Sequence, residues 1–312
     1  MSNVSMQQVK ELRERTQAGL NDCKSALVEA GGDMEKAVEV ILKKGLAKSA
    51  KRAGAVATEG EVLTLVSADG KRGVIVDVNI QTDFAARNED FKKFVQGVAE
   101  AAMTAKDGAD LGAEPFPGGS TSIEETRKAL VGKLGENITV RRWGRLVVDG
   151  PGKVQSYVHM GGKIGVLLTA RVGADAALKN EAVAKFIEDA AMQVAAMAPL
   201  HVRGSEVDAS LKAKQAEIFE AQMKELEKAP PAAQWPKIIE GKVAKWVKEI
   251  TLLDQPSVIE TDKTVEEVRA AAAKAAGTTV EIGQFVRYQV GEGIEAPKGA
   301  DFADEVAKMA GG

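Results

Sequence analysis

Residues 62–95, moved forward by 92 positions, fall on residues 154–187 and match them. Val62, Gly70, Lys71, Gly73, Val74, Asp83, Ala85, Asn88, Glu89 and Phe94 meet identical residues at Val154, Gly162, Lys163, Gly165, Val166, Asp175, Ala177, Asn180, Glu181 and Phe186. Average composition gives roughly 2 coincidences in such a window, so the chain contains an internal repeat. A second block, Glu124, Glu125, Arg127, Ala129 and Gly135, matches Glu266, Glu267, Arg269, Ala271 and Gly277 at a shift of 142. The larger shift means that the second copy holds about fifty extra residues between its two blocks.

Each copy predicts the same unit. An extended pair turns at Ala68-Asp69-Gly70 or Met160-Gly161-Gly162. Gly73–Val78 and Gly165–Ala170 are the return strands, followed by a loop and a helix through Phe94 or Phe186. A second helix starts at a capping box, Ser122-x-x-Glu125 or Thr264-x-x-Glu267. Ile138–Val148 and Val280–Val290 close each unit as strands. Strands, then a helix pair, then a return to the sheet is an α+β design with antiparallel sheets. The expected division is a three-helix module over 1–54, a first core subdomain over 55–150, and a second over 151–200 and 251–290. Between the last two, residues 201–250 form an inserted helical hairpin, and 291–312 are a C-terminal segment.

The N-terminal reading rests on Val9, Leu12, Leu20, Cys23, Leu27, Val38, Ile41 and Leu42, which recur at helical spacing with glycine breaks at Gly19, Gly31-Gly32 and Gly45. Asp33 is placed to cap the third helix. In the insertion, Val207, Leu211, Ile218, Phe219, Met223 and Leu226 make one stripe, and Ile239, Val243, Trp246, Val247 and Ile250 another, with Pro230-Pro231 between them. The two stripes are expected to pack on each other.

Enzyme chemistry is not legible. One cysteine and two histidines among 312 residues leave no disulfide framework, no cysteine zinc site and little for histidine catalysis. No phosphate loop or nucleophile elbow occurs, and Gly291-Glu292-Gly293 lacks the third glycine of a dinucleotide fingerprint. Catalytic residues, cofactors and metals are therefore all expected to be absent. A net charge of −3 supplies no global field for nucleic acid or membrane. Lys43, Lys44, Lys48, Lys51 and Arg52 form a local basic run, but no aromatic is interleaved to stack bases. No apolar run spans a membrane, and Lys10, Glu11, Arg13 and Glu14 interrupt any signal-like core at the N-terminus, so a cytoplasmic protein is expected.

The copies disagree where function could enter. Gln81-Thr82-Asp83-Phe84-Ala85-Ala86-Arg87 in the first stands where the second has Gly173-Ala174-Asp175-Ala176-Ala177-Leu178-Lys179. Phe84 thus matches Ala176, and Leu134 matches Ala276. Either Phe84 packs locally with Leu178 as its counterpart, or it is presented to a partner. Asp83, kept as Asp175, is open to a plain capping role.

Several motifs resemble bacterial elongation factor Ts: Leu12-Arg13-Glu14-Arg15-Thr16, Ala18-Gly19-Leu20-Asn21-Asp22-Cys23-Lys24, and Asn79-Ile80-Gln81-Thr82-Asp83-Phe84-Ala85-Ala86-Arg87-Asn88. Further matches are Gly135-Glu136-Asn137-Ile138 with Arg141-Arg142, Tyr157-x-His159 before Ile164-Gly165-Val166-Leu167, Val290-Gly291-Glu292-Gly293-Ile294, and Asp301-Phe302-Ala303. The resemblance covers nearly the whole chain in order. It implies a UBA-like N-terminal module and a translation factor that binds elongation factor Tu in its GDP-bound and nucleotide-free forms and promotes exchange of GDP for GTP. It implies that Thr82, Asp83, Phe84 and Ala85 form a loop that disturbs the partner's magnesium site, supported by Leu134. Arg13, Leu20, Asn21, Lys24 and Arg52 would grip the same partner domain, and His159 another. Ala85 stands where valine is commoner, and Asn21 where an apolar residue is expected. The rival readings are a docking or ribosome-associated module without exchange activity, and an enzyme using an unrecognised carboxylate pair.

Overall fold

A computed structural model describes residues 4–16, 18–52, 54–226 and 230–295. The motif Asp301-Phe302-Ala303 and most of the expected C-terminal segment lie outside these residues. The architecture is α+β: an N-terminal helical region followed by two antiparallel three-stranded sheets with their helices.

Three helices come first: α1 (Met6–Thr16), α2 (Leu20–Glu29) and α3 (Met34–Arg52). Val9, Leu12, Cys23, Ala26, Leu27 and Ala37 form their own small core. Asp33 caps α3 as expected, its carboxylate accepting from the Lys36 amide at 3.0 Å. The basic run therefore lies along a helix, with Lys44 paired to Glu29 at 2.7 Å. So few buried side chains stabilise a module only weakly, and α3 docks on a core helix, α6 (Ile123–Leu134). The approach is close because both helices present glycine: a Cβ on Gly132 would lie 2.6 Å from the Gly45 Cα.

The first half contains β1 (Glu59–Val66), β2 (Arg72–Ile80), the one-turn helix α4 (Asp83–Ala86), α5 (Glu89–Thr104), α6 and β3 (Ile138–Val147). The second repeats it with β4 (Gly152–His159), β5 (Ile164–Val172), α7 (Glu181–Met197), α10 (Val265–Ala276) and β6 (Val280–Gln289). The central strands β2 and β5 each pair with both neighbours. Both capping boxes form, at Ser122/Glu125 and Thr264/Glu267. Beneath each sheet a separate core collects around Phe91 and Phe94 or around Phe186 and Ile187.

The sheets meet at a seam of Val62, Ile75, Leu146, Val148, Val154 and Leu167. Its contacts are reciprocal under the repeat. A Cβ on Gly73 would stand 2.7 Å from Val154 Cγ1, and one on Gly165 would stand 2.4 Å from Val62 Cγ1. The Val62 amide donates to the Gly162 carbonyl and the Val154 amide to the Gly70 carbonyl, each at 2.7 Å. Three of the identical pairs, Val62 with Val154, Gly70 with Gly162 and Gly73 with Gly165, thus lie where the copies join.

One buried ion pair breaks this symmetry. Asp77 is fully buried on β2 and accepts from Arg142 Nε at 2.9 Å, with Arg141 Nη1 at 3.6 Å. Its counterpart Thr169 instead exchanges hydrogen bonds with the Gln284 backbone. Arg141 and Arg142 continue to the turn after β6, donating to the Glu292 carbonyl at 2.6 Å and the Glu292 carboxylate at 3.1 Å. Burial pushes the Asp77 carboxyl above its ordinary 3.8, against the pull of Arg142 and Arg141. The folded state then holds this proton more tightly than the unfolded chain, so stability falls as pH rises from about 3.8 through the raised native value. Urea unfolding across that window should show wild type losing ground to Asp77→Asn as pH rises. A difference independent of pH would contradict the burial argument.

The insertion forms α8 (Ala209–Lys224) and α9 (Trp235–Glu249), which pack as a hairpin. The stripes are only partly covered: Met223 is buried, whereas Ile218 and Leu226 are about half exposed, and α9 buries no residue fully. Val207 lies before α8 rather than on its stripe. The second copy departs from the first between Met197 and Leu252, which correspond to the ends of a short connection from Thr104 to Leu111. The corresponding first-half segment is pinned beyond Leu111, where Phe116 stacks on Phe94 with ring centroids 6.0 Å apart.

Candidate functional site

Strand β2 delivers the chain to Gln81, and α4 follows at once. Thr82 caps α4, its hydroxyl accepting from the Ala85 amide at 3.2 Å. The capping role open to Asp83 therefore belongs to its neighbour, and Asp83 pairs instead with Arg87 at 2.9 Å. Ala85 and Ala86 turn inward against the first-half core. Phe84 turns outward and is 81% exposed, more than any other large hydrophobic side chain among the described residues. Local packing of Phe84 is thereby excluded. Leu178 does pack on the second core, but its counterpart is Ala86, and Ala176 holds the place of Phe84.

The loop is fixed from behind. The Glu136 carboxylate accepts from the Thr82 amide at 3.0 Å and from the Thr82 hydroxyl at 2.7 Å. The Asn137 amide donates to the Gln81 side-chain oxygen at 2.8 Å. Gly135, with φ of 76°, ends α6 and starts this turn, a left-handed conformation that glycine adopts without strain. Leu134, one residue earlier, is half-buried against the same core. An exposed aromatic on a braced single turn suits insertion between elements of another protein. It does not suit acid–base chemistry. No group of three or more potential metal-ligating side chains occurs among the described residues, and none of their helices is long and apolar enough to cross a membrane.

The other expected contacts lie elsewhere. Arg13 closes α1, while Leu20, Asn21 and Lys24 share the solvent side of α2, opposite Cys23, Ala26 and Leu27. Arg13 thus lies in the last turn of α1, and Leu20 and Asn21 open α2. Arg52 is exposed at the end of α3. His159 ends β4, an edge strand, where its Nδ1 lies 3.0 Å from the Tyr157 hydroxyl. Beside it Met160 is 71% exposed in the β4–β5 turn. The turn that follows Leu134 holds the 82–85 loop, whereas Arg13, Leu20, Asn21 and Lys24 lie on α1 and α2 and His159 ends β4. Sequence reasoning singled out Leu134 and did not assign Glu136; the signal was its replacement by Thr278 in the second copy.

The sequence model of the family "Elongation factor TS" matches residues 81–292, which run from the braced loop to the turn held by Arg141 and Arg142. The elongation factor Ts of a Nitratiruptor species is 46% identical over 311 residues, covering 97% of this chain and 98% of its own. That of a Clostridium perfringens Type A strain is 44% identical over 310 residues, 99% of each chain. The elongation factor Ts of Clostridium kluyveri is 42% identical over 309 residues, 98% of each. The chain belongs to the elongation factor Ts family. It is accordingly a translation elongation factor, and the exposed Phe84, the module and the second half all fall within the span shared with those elongation factor Ts chains.

Proposed function

We propose that this protein binds elongation factor Tu and accelerates release of its GDP, allowing GTP to enter, by pressing the 82–85 loop toward the magnesium and phosphate region. The single observation that carries the reading is Phe84, exposed on a loop braced at both Gln81 and Thr82. No catalytic group is required of such a factor. It must bind the nucleotide-free partner more tightly than the nucleotide-bound one, and linkage then makes nucleotide weaken the factor by the same ratio. The module around Leu20 and Lys24 and the β4 end around His159 would hold the partner in either state, while Phe84 fits only once the magnesium region has moved. The test is release of a fluorescent GDP from elongation factor Tu with catalytic amounts of this protein. Binding without acceleration would leave the docking reading instead.

Removing residues 1–54 should weaken that binding and leave a core with one cooperative unfolding transition. The module has its own small core and touches the rest chiefly through α3 on α6. Loss of cooperativity in the shortened chain would show that α6 needs this cover.

A further inference from the structure

We infer that Glu136 is a positioning residue for exchange: its carboxylate fixes Thr82 so that α4 points Phe84 outward. The inference rests on the exchange reading above. One carboxylate takes both the amide and the hydroxyl of Thr82, at 3.0 Å and 2.7 Å, leaving the hydroxyl free to accept from Ala85. The start of α4 is thus fixed by bonds that lie wholly behind Phe84.

The second copy shows that the fold does not need this bond. Its turn reads Gly277-Thr278-Thr279, and the residue matching Thr82 is Ala174, which makes no side-chain cap. That loop is anchored differently: Asp175 accepts from Lys71 Nζ at 2.9 Å and from the Gly152 amide at 2.8 Å. In the first copy Asp83 has left that anchor for Arg87, and Lys163, the counterpart of Lys71, pairs with Glu59. The attachment has moved from the aspartate beside the aromatic position to the threonine before it. Thr82 carries two bonds to Glu136, while Asp83 pairs locally with Arg87 and Phe84 stays exposed. A second link follows from the same turn, because the Asn137 side chain donates to the Ala55 carbonyl at 2.7 Å. Holding the loop in its working conformation before contact reduces the ordering cost of association.

Stopped-flow release of fluorescent GDP from elongation factor Tu tests this with wild type, Glu136→Ala, Glu136→Gln, Phe84→Ala and the Glu136→Ala/Phe84→Ala double variant. Glu136→Ala should lower the maximal release rate by about tenfold with its melting temperature unchanged. Glu136→Gln, which can accept from the amide and donate to the hydroxyl, should restore the rate to within about twofold. In the Phe84→Ala background the Glu136 substitution should add less than about twofold, because it acts through that ring. Full activity of Glu136→Ala, failure of the glutamine to rescue, or multiplying defects in the double variant would overturn the positioning role while leaving the exchange reading intact. A wild-type protein that fails to accelerate release would overturn both.

Discussion

Phe84→Ala should slow GDP release from elongation factor Tu by about 10- to 30-fold, the loss of roughly 2 kcal/mol that marks a buried interfacial aromatic. Its melting temperature should stay where it is, since the ring is 81% exposed in the free protein. A core phenylalanine behaves otherwise: truncating one costs about 3–5 kcal/mol, the expectation for Phe94, which is 2% exposed only ten residues along the chain. Magnesium separates the mechanism from simple docking. If the loop acts on the magnesium site, wild type and Phe84→Ala should differ much less in EDTA than in millimolar magnesium. An equal defect with and without the ion would mean that the ring works on the nucleotide pocket by another route, and a large fall in melting temperature would make Phe84 structural after all.

The second large effect concerns the joint between the halves. Gly165→Val should destabilise the protein by about 3 kcal/mol, the upper end for overpacking a core. The added Cβ would stand 2.4 Å from Val62 Cγ1 and 3.3 Å from Ile75 Cδ1, two side chains that are fully buried in the seam. Val62→Ala opens that space. Combined with Gly165→Val it should therefore be less damaging than the sum of the two single changes, a coupling that denaturant unfolding of the four proteins measures. The related pair, Gly73 and Val154, should couple in the same way. Simple additivity would show that the sheets relax apart rather than interlock.

Much of the fold was legible because the repeat reports on it twice. The capping boxes at Ser122 and Thr264, the hairpin turns and the closing strands all lie in short segments whose chemistry is local. The orientation of Phe84 was not legible. Its sequence neighbours left local packing and presentation open, and the decision came from Ala85 and Ala86 taking the inward positions. Glu136 stayed hidden for a similar reason: its bond to Thr82 spans more than fifty residues and leaves no periodic trace. Asp83 and Asp175 are identical in type and differ in task because Lys71 reaches Asp175 across the seam, whereas its counterpart Lys163 turns to Glu59. Identity between copies identified positions, and only the contacts separated anchoring from presentation.

The two ways of joining Thr104 to Leu111 and Met197 to Leu252 carry a practical consequence. The same framework accepts either a few residues or an entire helical hairpin at one point, so chain length there is free of the rest of the architecture. In the first half that point is Lys106-Asp107-Gly108, exposed, with φ of +74° at Gly108 and open space around it. Asp107 ties it to the sheet through Arg145. A peptide tag, a fluorescent reporter or a surface tether spliced in beside Gly108 would occupy the place nature left vacant in one half and filled in the other.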